Sequence, residues 1–318
     1  MYNIMKTTVI NKMSNIDDLT HKLEGKTLKE LNIAKLPEEV DISTMTFICK
    51  IGTEFICPNI ATYVDLSYTG ILSVTHGKTG DPRTNRSLLP KKKQLGKKKK
   101  QTSVFYNQVS MYVNVSGKKK NPVNIKLFTN GAMQMTGCKT VRNATEALVK
   151  VFAELNKVKA IIDYSELKIV EKPFVVDSSL LQMKHVKDLK VVMINSNFKI
   201  PFKVDRAKLY NLMLSENYDC LYDPVKHACV NIKHEQPDKT ISIFVFEKGS
   251  IIITGARNCG HILEAYEFIY KYLLKNLNAI IKNDNLTNSN INKFFDDNNI
   301  VNDSDDSDFD DSDLDLDD

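Results

Sequence analysis

The sequence lacks the marks of an exported or membrane-spanning protein. In its 318 residues no apolar run approaches the roughly 18 residues that a membrane span needs. The first twenty residues contain neither an apolar signal core nor a small-residue cleavage site. The six cysteines form no CxxC pair and no cluster with histidine, which argues against a disulfide framework or a zinc site. We therefore expect an intracellular protein with reduced, mostly buried thiols.

Patterns that carry catalysis are missing as well. The six histidines show no HxxxH or HExxH spacing, and the acidic residues do not cluster outside the C-terminal tail. DNA glycosylases use a catalytic Lys/Asp pair together with a helix-hairpin-helix motif, and this sequence contains no such motif. We therefore expect no enzyme, no cofactor and no metal site.

Positive charge is absent from one end of the chain. Residues 296–318 contain twelve aspartates and no Lys, Arg or Glu, whereas the whole chain has 44 Lys+Arg and 39 Asp+Glu. Residues 1–295 therefore carry 44 basic against 27 acidic side chains, a net charge of +17 against −12 for the tail. A basic body of this kind indicates a polyanionic partner, with nucleic acid the first candidate.

The chain does contain enough apolar residues for a core, 42% of the total, and it contains an internal repeat. Residues 124–155 align without a gap with residues 242–273, at a constant offset of 118. The matched pairs combine turn, core and charged positions: Phe128 and Phe246, Gly131 and Gly249, Thr136 and Thr254, Gly137 and Gly255, Lys139 and Arg257, Glu146 and Glu264. This period is far longer than that of a solenoid, so it indicates a duplicated domain half.

Each copy of the repeat reads as strand, tight turn, strand and helix. Gly131 and Gly249 each separate two short runs rich in β-branched or apolar residues, which is typical of a hairpin. After the Thr-Gly pair the apolar period changes from 2 to about 3.6, the period of an amphipathic helix. Both helices should therefore lie on a sheet.

The weaker similarity of residues 42–60 to residues 191–209 extends each half upstream. The sequence then divides into an N-terminal extension (1–38, with a helix over 16–35), a first repeat (39–158, with a basic, mobile insertion at about 66–104), a linker (159–185), a second repeat (186–281) and a disordered acidic tail (282–318). Lysine runs at 91–93, 97–100 and 118–120 would add salt-sensitive affinity for nucleic acid or serve as a localisation signal.

The strands of the second hairpin are apolar on both faces. Ile241, Ile243 and Val245 alternate with Phe244 and Phe246. Helices would cover only one face of an antiparallel sheet, so the other face is covered by further elements or is open to a partner. The alternative is an ordinary central strand that is buried on both sides.

These repeats resemble the TATA-box-binding protein family over about residues 39–281. The resemblance rests on the two turns Thr-Gly-Cys-Lys (136–139) and Thr-Gly-Ala-Arg (254–257) and on the helix sequence EAYEFIY (264–270). It implies an α+β fold, a two-repeat saddle whose curved antiparallel sheet carries helices on its convex face. It also implies binding to double-stranded, AT-rich promoter DNA in the minor groove, where apolar wedges kink the duplex; the family is itself the standard example of this mode.

The resemblance assigns roles to individual residues. Phe128 and Phe246 match one wedge of each pair, with Tyr106 (or Phe105) and His227 as their companions. The remaining groove-facing positions are Phe244, Ile252, Thr136, Thr254 and Gln134. At the edge of the saddle the candidate phosphate contacts are Lys139, Arg257 and Lys233.

Some positions depart from the family pattern. Lys126 and Gln134 stand where aliphatic residues are usual. The base-reading asparagines of the family align with Val40 and Leu189, and Asn195 and Asn197 lie nearby only in the second half. Without these donors, sequence choice would rest on DNA shape and deformability, so the sequence leaves open whether a strict TATA box is preferred.

The family resemblance also implies protein partners. A transcription factor IIB-like protein would meet residues 216–223, with Glu216, Asp219 and Asp223, and a IIA-like protein would approach Lys118, Lys119 and Lys120. RNA polymerase machinery would be recruited through them. Such a factor would act in the nucleus, or in a cytoplasmic viral factory if the Asn/Lys/Ile/Asp-rich sequence is viral.

Three alternatives remain open at the level of sequence. A saddle that has lost DNA binding would be a protein-interaction module, which the altered wedges and asparagines favour. A related two-repeat sheet also occurs in DNA glycosylases and in a type of ribonuclease H, but the catalytic residues are missing. The tail, with Phe309, Leu314 and Leu316 among its aspartates, keeps the protein soluble, competes with DNA for the basic face, or binds an activator-type groove.

Overall fold

The computed structural model describes residues 36–78, 80–90, 105–116 and 122–282. The predicted N-terminal helix, the three lysine runs and the acidic tail therefore lie outside the described residues. Within them, no helix is long and apolar enough to span a membrane.

The described part of the first half, up to residue 155, contains six strands and two helices. The strands are β1 (Asp41–Lys50), β2 (Ile71–Thr75), β3 (Asn85–Ser87), β4 (Gln108–Val113), β5 (Val123–Phe128) and β6 (Ala132–Cys138), and the helices are α1 (Cys57–Tyr63) and α2 (Val141–Leu155). A capping box starts α2, because the Thr140 side chain accepts from the Asn143 backbone N–H.

The second half, from residue 187, repeats this order. Its strands are β9 (Lys187–Lys199), β10 (Cys220–Leu221), β11 (Cys229–Gln236), β12 (Lys239–Phe246) and β13 (Ser250–Ala256), and its helices are α3 (Arg206–Ser215), α4 (Cys259–Lys275) and α5 (Leu277–Ile280). The segment between the halves forms a separate hairpin of β7 (Ala160–Asp163) and β8 (Lys168–Glu171), followed by two short 3₁₀ turns. The predicted linker thus has secondary structure of its own, and Phe174, Val175 and Leu181 in it are buried in the core.

Eleven strands form one antiparallel sheet in which the two halves meet at its centre. Strands β1 and β9 are neighbours, and the order outward is β6, β5, β4, β2, β3 on one side and β13, β12, β11, β10 on the other. Outward from the centre, each half therefore has its own first strand, then its last strand, and then the strands that lie between these two in the chain. The predicted α+β fold with two repeated sheet halves is confirmed.

Part of the predicted mobile insertion belongs to this sheet. Residues 71–75 form β2, which pairs with β4 and holds the place that β10 holds in the second half. Four of its five residues are buried, so the apolar run ILSV is sequestered in spite of the basic sequence that follows it. Beyond it, β3 adds a strand at the sheet edge.

The two faces of the sheet differ in burial. Ile241, Ile243 and Val245 of β12 are fully buried on the face against which α4 packs, whereas Phe244 and Phe246 are only half-buried. Strand β5 repeats the pattern, with Val123, Ile125 and Leu127 buried against α2. The alternative of a strand buried on both sides is therefore wrong. The half-buried side is called the open face below.

Matching glycines close the hairpins of the two halves. Gly131 and Gly249 have φ of +83° and +78°, which L side chains rarely adopt. A Cβ on Gly249 would lie 2.5 Å from the Ile200 carbonyl oxygen and 2.6 Å from that of Phe202. The hairpin turns therefore pack directly on the chain that follows β1 and β9.

Candidate nucleic-acid interface

In the second half, the open face has an apolar centre. Strand register aligns Phe244 of β12 with Ile252 of β13, and both are half-buried. Asn231 and Asn197 flank this pair on β11 and β9. Such an apolar patch, with amide donors at its margins, is complementary to a binding partner whose surface is partly hydrophobic and carries hydrogen-bond acceptors.

A polar row runs beside this patch towards the centre of the sheet. Lys233 Nζ donates to Ser242 Oγ at 2.7 Å, and Thr254 Oγ1 donates to Asn195 Oδ1 at 2.5 Å. The Asn195 Nδ2 group donates in turn to Thr44 Oγ1 at 3.0 Å, across the boundary between the halves. The row thus fixes the orientation of the central asparagine.

The corresponding rows of the first half are polar. Lys126 of β5 pairs in register with Gln134 of β6, at the positions equivalent to Phe244 and Ile252. In the next row Thr136 is the equivalent of Thr254 and pairs with Asn124, whose Nδ2 donates to Ser110 Oγ at 3.1 Å. All these side chains remain partly exposed.

The predicted wedge phenylalanines are the last residues of matching strands in the two halves, β5 and β12. Phe128 pairs in register with Gln108, two residues after Tyr106, and Phe246 pairs with Cys229, two residues after His227. Both phenylalanines are half-buried, whereas 70% of the Tyr106 surface is exposed. Each predicted companion therefore lies two residues before the register partner of its phenylalanine, just outside the strand.

The two companions are positioned in different ways, His227 by a tight turn and Tyr106 by a ring contact. The His227 backbone N–H donates to the Asp223 carbonyl oxygen at 2.7 Å, so His227 stands, exposed, at the end of a tight turn before β11. Tyr106 contacts His76 edge-on, with ring centroids 6.4 Å apart, while the alternative wedge Phe105 is 55% exposed. Both rings are accessible at the rim of the open face.

Two of the three candidate phosphate contacts lie where the edge of the face was predicted. Lys139 and Arg257 are exposed and occupy equivalent loops between the last strand and the long helix of each half. Their backbone N–H groups are fixed by Asn143 Oδ1 and His261 Nδ1 respectively. Lys233 differs, because it lies on the open face itself and is engaged with Ser242.

The central asparagines were not found by sequence alignment. Val40 is buried before β1 begins and Leu189 is half-buried near the start of β9, whereas Asn195 and Asn197 point to the open face in the middle of β9. The available signal was alternation with the buried residues Ile194, Ser196 and Phe198, which places both asparagines opposite the core.

A recess of about 480 Å³ opens beside Phe128 in the first half. Its lining includes Ile48, Lys50, Gln134 and Lys190. The same region therefore presents an aromatic ring, an amide, two ammonium groups and the carboxylate of Asp188 to whatever occupies the open face.

The candidate partner-binding acids lie together at the edge of the second half. Glu216 and Asp219 are exposed between α3 and β10. Asp223 is half-buried, forms a 2.7 Å ion pair with Lys226 and accepts from the Val225 and Lys226 backbone. The Lys226 hydrogen bond lowers the Asp223 pKa, so this carboxylate stabilises the turn that carries His227. Lys118, Lys119 and Lys120 lie outside the described residues.

Burial determines the state of several cysteine thiols among the described residues. All six thiols are free, and burial raises the pKa of Cys49 to about 12 and those of Cys57 and Cys259 to about 11, so these three stay protonated near neutral pH. In the part of the chain that the structure covers, no group of three His, Cys, Asp or Glu could hold a metal ion. The arrangement is suited to binding.

Known proteins are similar in sequence to this chain. The family described as "Transcription factor TFIID (or TATA-binding protein, TBP)" matches residues 188–276. The "TATA-box-binding protein-like" protein of Acanthamoeba polyphaga mimivirus is 36% identical over 304 residues, covering 90% of this chain and 79% of that protein. The TATA-box-binding protein of Pyrodictium occultum is 25% identical over 158 residues, which are 50% of this chain and 65% of that one.

Among solved structures, Methanococcus jannaschii TBP superposes with a TM-score of 0.44 and 14% identity, covering 74% of this chain and 99% of that one. The family assignment rests on the sequence matches, above all on the mimivirus relative, which extends over both halves of the sheet. The chain belongs to the TATA-box-binding protein family.

Proposed function

We propose that this protein is a general transcription initiation factor that binds AT-rich promoter DNA in the minor groove through its open face and bends it, without catalysis. The observation that carries the proposal is the equivalent placement of Phe128 and Phe246 on that face, as the last residues of the matching strands β5 and β12. Two half-buried aromatic rings at matched ends of one sheet are suited to enter two base steps of one duplex.

The rest of the face supports the same partner. Phe244 and Ile252 offer an apolar surface to the sugar edges and base edges of the groove floor, and Thr136 and Thr254 offer hydroxyls. Lys139 and Arg257 at the rim would neutralise phosphates, a contact that positions the protein without selecting a sequence. Bending the DNA would bring both rims into reach.

Protein partners follow from the same assignment. The exposed acids Glu216 and Asp219 would meet a transcription factor IIB-like protein, and Lys118–Lys120 a IIA-like protein, through which RNA polymerase machinery is recruited. Asp223 would act indirectly by holding the turn before β11. The protein would act in the nucleus, or in a cytoplasmic viral factory if it is viral.

Fluorescence anisotropy at one fixed salt concentration tests the proposal. Wild type should bind an AT-rich duplex more tightly than a GC-rich one, and the Phe128→Ala/Phe246→Ala double variant should lose at least about tenfold in affinity, or ~1.4 kcal/mol. Tyr164→Ala, which removes an exposed aromatic residue from the β7–β8 hairpin, is the matched control and should bind normally. Equal binding by wild type and the double variant, or no binding by wild type, would favour the protein-interaction module.

A further inference from the structure

The two halves of the open face differ in chemistry at the row where the fold makes them equivalent. The central pair of the second half is Phe244 and Ile252, and that of the first half is Lys126 and Gln134. Lys50 of β1 and Lys190 of β9 line the recess next to Phe128, together with Asp188. At this row a two-fold pseudosymmetric backbone thus presents an apolar pair in the second half and a polar, basic pair in the first.

Minor-groove chemistry distinguishes these surfaces. A·T and T·A pairs show only acceptors there, whereas a G·C pair adds the guanine N2 amino donor. Over Phe244 and Ile252 that donor would be buried without an acceptor, which is unfavourable. The second half should therefore reject G·C pairs.

The first half can satisfy both kinds of base pair. The Gln134 carboxamide has an oxygen that can accept from guanine N2 and an NH₂ group that can donate to purine N3 or pyrimidine O2. The Lys126 ammonium can donate to the same acceptors in either kind of pair. Neither side chain therefore forces guanine N2 into an apolar contact, so G·C pairs are not excluded.

Resting on the proposed DNA binding, we propose that the open face reads a composite site, in which the second half requires A·T pairs and the first half accepts G·C pairs. Lys126 and Gln134 are the residues that relax the first half. The protein would then take one orientation on a duplex with one AT-rich and one GC-containing end, because only that orientation keeps guanine away from Phe244 and Ile252.

Three duplexes of equal length test this without an orientation probe: one with A·T pairs throughout the site, one with G·C pairs in one half, and one with G·C pairs in both. Wild type should bind the first two within about threefold of each other. It should bind the third at least about fivefold more weakly, the smallest usual effect of one wrong base pair. The half-substituted duplex is tolerated because the protein can turn its polar half towards the G·C pairs.

Converting the first half should abolish this tolerance. With Lys126→Phe/Gln134→Ile we expect the half-substituted duplex to fall at least about fivefold below the all-A·T duplex. Gln134→Ile alone should move in the same direction and changes only one partly exposed side chain, which guards against misfolding. Lys208→Leu, which removes an exposed lysine from α3, should leave the wild-type pattern intact.

The outcomes separate this inference from the proposed function. Wild-type binding that falls by a similar factor with each half replaced would overturn the composite site while leaving minor-groove binding intact. An unchanged pattern in both converted variants would also overturn it. Failure to bind any of the three duplexes would instead contradict the proposed function.

Discussion

The hydroxyl of Thr254 donates to Oδ1 of Asn195 at 2.5 Å, and Nδ2 of the same asparagine donates to Thr44 at 3.0 Å. One side chain therefore ties β13 and β9 of the second half to β1 of the first. The contact lies at the centre of the open face, where the halves meet. It fixes both the joint between the halves and the direction in which the amide points.

Replacing Asn195 by Ala should weaken this joint. Two hydrogen bonds are lost, each with a net contribution of about 1 kcal/mol, so the free energy of unfolding should fall by about 1 to 2 kcal/mol in urea titrations. Asn197→Ala, at the next open-face position of β9, is the matched control and should have the smaller effect. An Asn195 variant as stable as wild type would show that the hydrogen bonds add nothing to the joint.

Gly249→Ala should be more disruptive. The new Cβ would meet two backbone carbonyl oxygens at 2.5 and 2.6 Å, and the residue would also keep a φ of +78°. We expect a loss of at least about 2 kcal/mol in the free energy of unfolding. Gly80 also has a positive φ, +97°, but a Cβ there would meet no atom within 4 Å. Gly80→Ala therefore measures the cost of the backbone conformation alone, a loss of about 1 to 2 kcal/mol in the free energy of unfolding. Equal losses in the two variants would rule out the clash.

Lys139→Ala and Arg257→Ala should reduce the salt dependence of DNA binding. If each side chain neutralises one phosphate, the slope of log K against log salt concentration should decrease by about 0.9 per substitution. Lys271→Ala, which removes an exposed lysine from α4, should leave the slope unchanged. A slope unaffected by either rim substitution would mean that these residues do not touch the DNA backbone.

Acid should destabilise the protein through His234. Its ring stacks on Phe268 with centroids 4.4 Å apart, and its Nε2 lies 3.8 Å from Glu264. Burial lowers the His234 pKa below its ordinary value of 6.5, although the charge of Glu264 opposes this. The unfolded chain therefore binds the proton more readily, so stability is present above pH 6.5 and is lost as the pH falls below it.

The comparison that checks this is the thermal midpoint at pH 7.5 and at pH 5.5. His234→Phe keeps an aromatic ring against Phe268 and should narrow the difference between the two midpoints. His227→Phe, at an exposed position, should leave the difference as it is in wild type. A His234 variant with the wild-type difference would assign the acid sensitivity to other groups.

Much of the fold could be predicted because the sequence contains an internal repeat. The offset of 118 residues aligned both hairpins, and the alternation of Ile243 and Val245 with Phe244 and Phe246 predicted which residues face the helices. Alternation depends only on the geometry of the strand, so it survives divergence of the sequence.

Features that depend on strand register could not be predicted in this way. Strand β1 has irregularities in its pairing with both β6 and β9, and such bulges change which residues lie on the open face, a shift that the alignment to Val40 and Leu189 did not include. The short strand β2 was missed because its apolar run of four residues adjoins polar, basic sequence. Lys233 lies on the open face but was expected at the rim, because its side-chain partner, Ser242, is on the neighbouring strand and cannot be identified without the strand register.

The bend of the DNA is the measurement that tests the central claim most directly. A short AT-rich duplex with a fluorophore at each end should show increased energy transfer when saturated with wild-type protein, because wedges at both ends of the site bring the duplex ends together. The Phe128→Ala/Phe246→Ala variant, at saturating concentration, should give a markedly smaller increase. Saturated wild-type complexes with the energy transfer of free DNA would contradict the account.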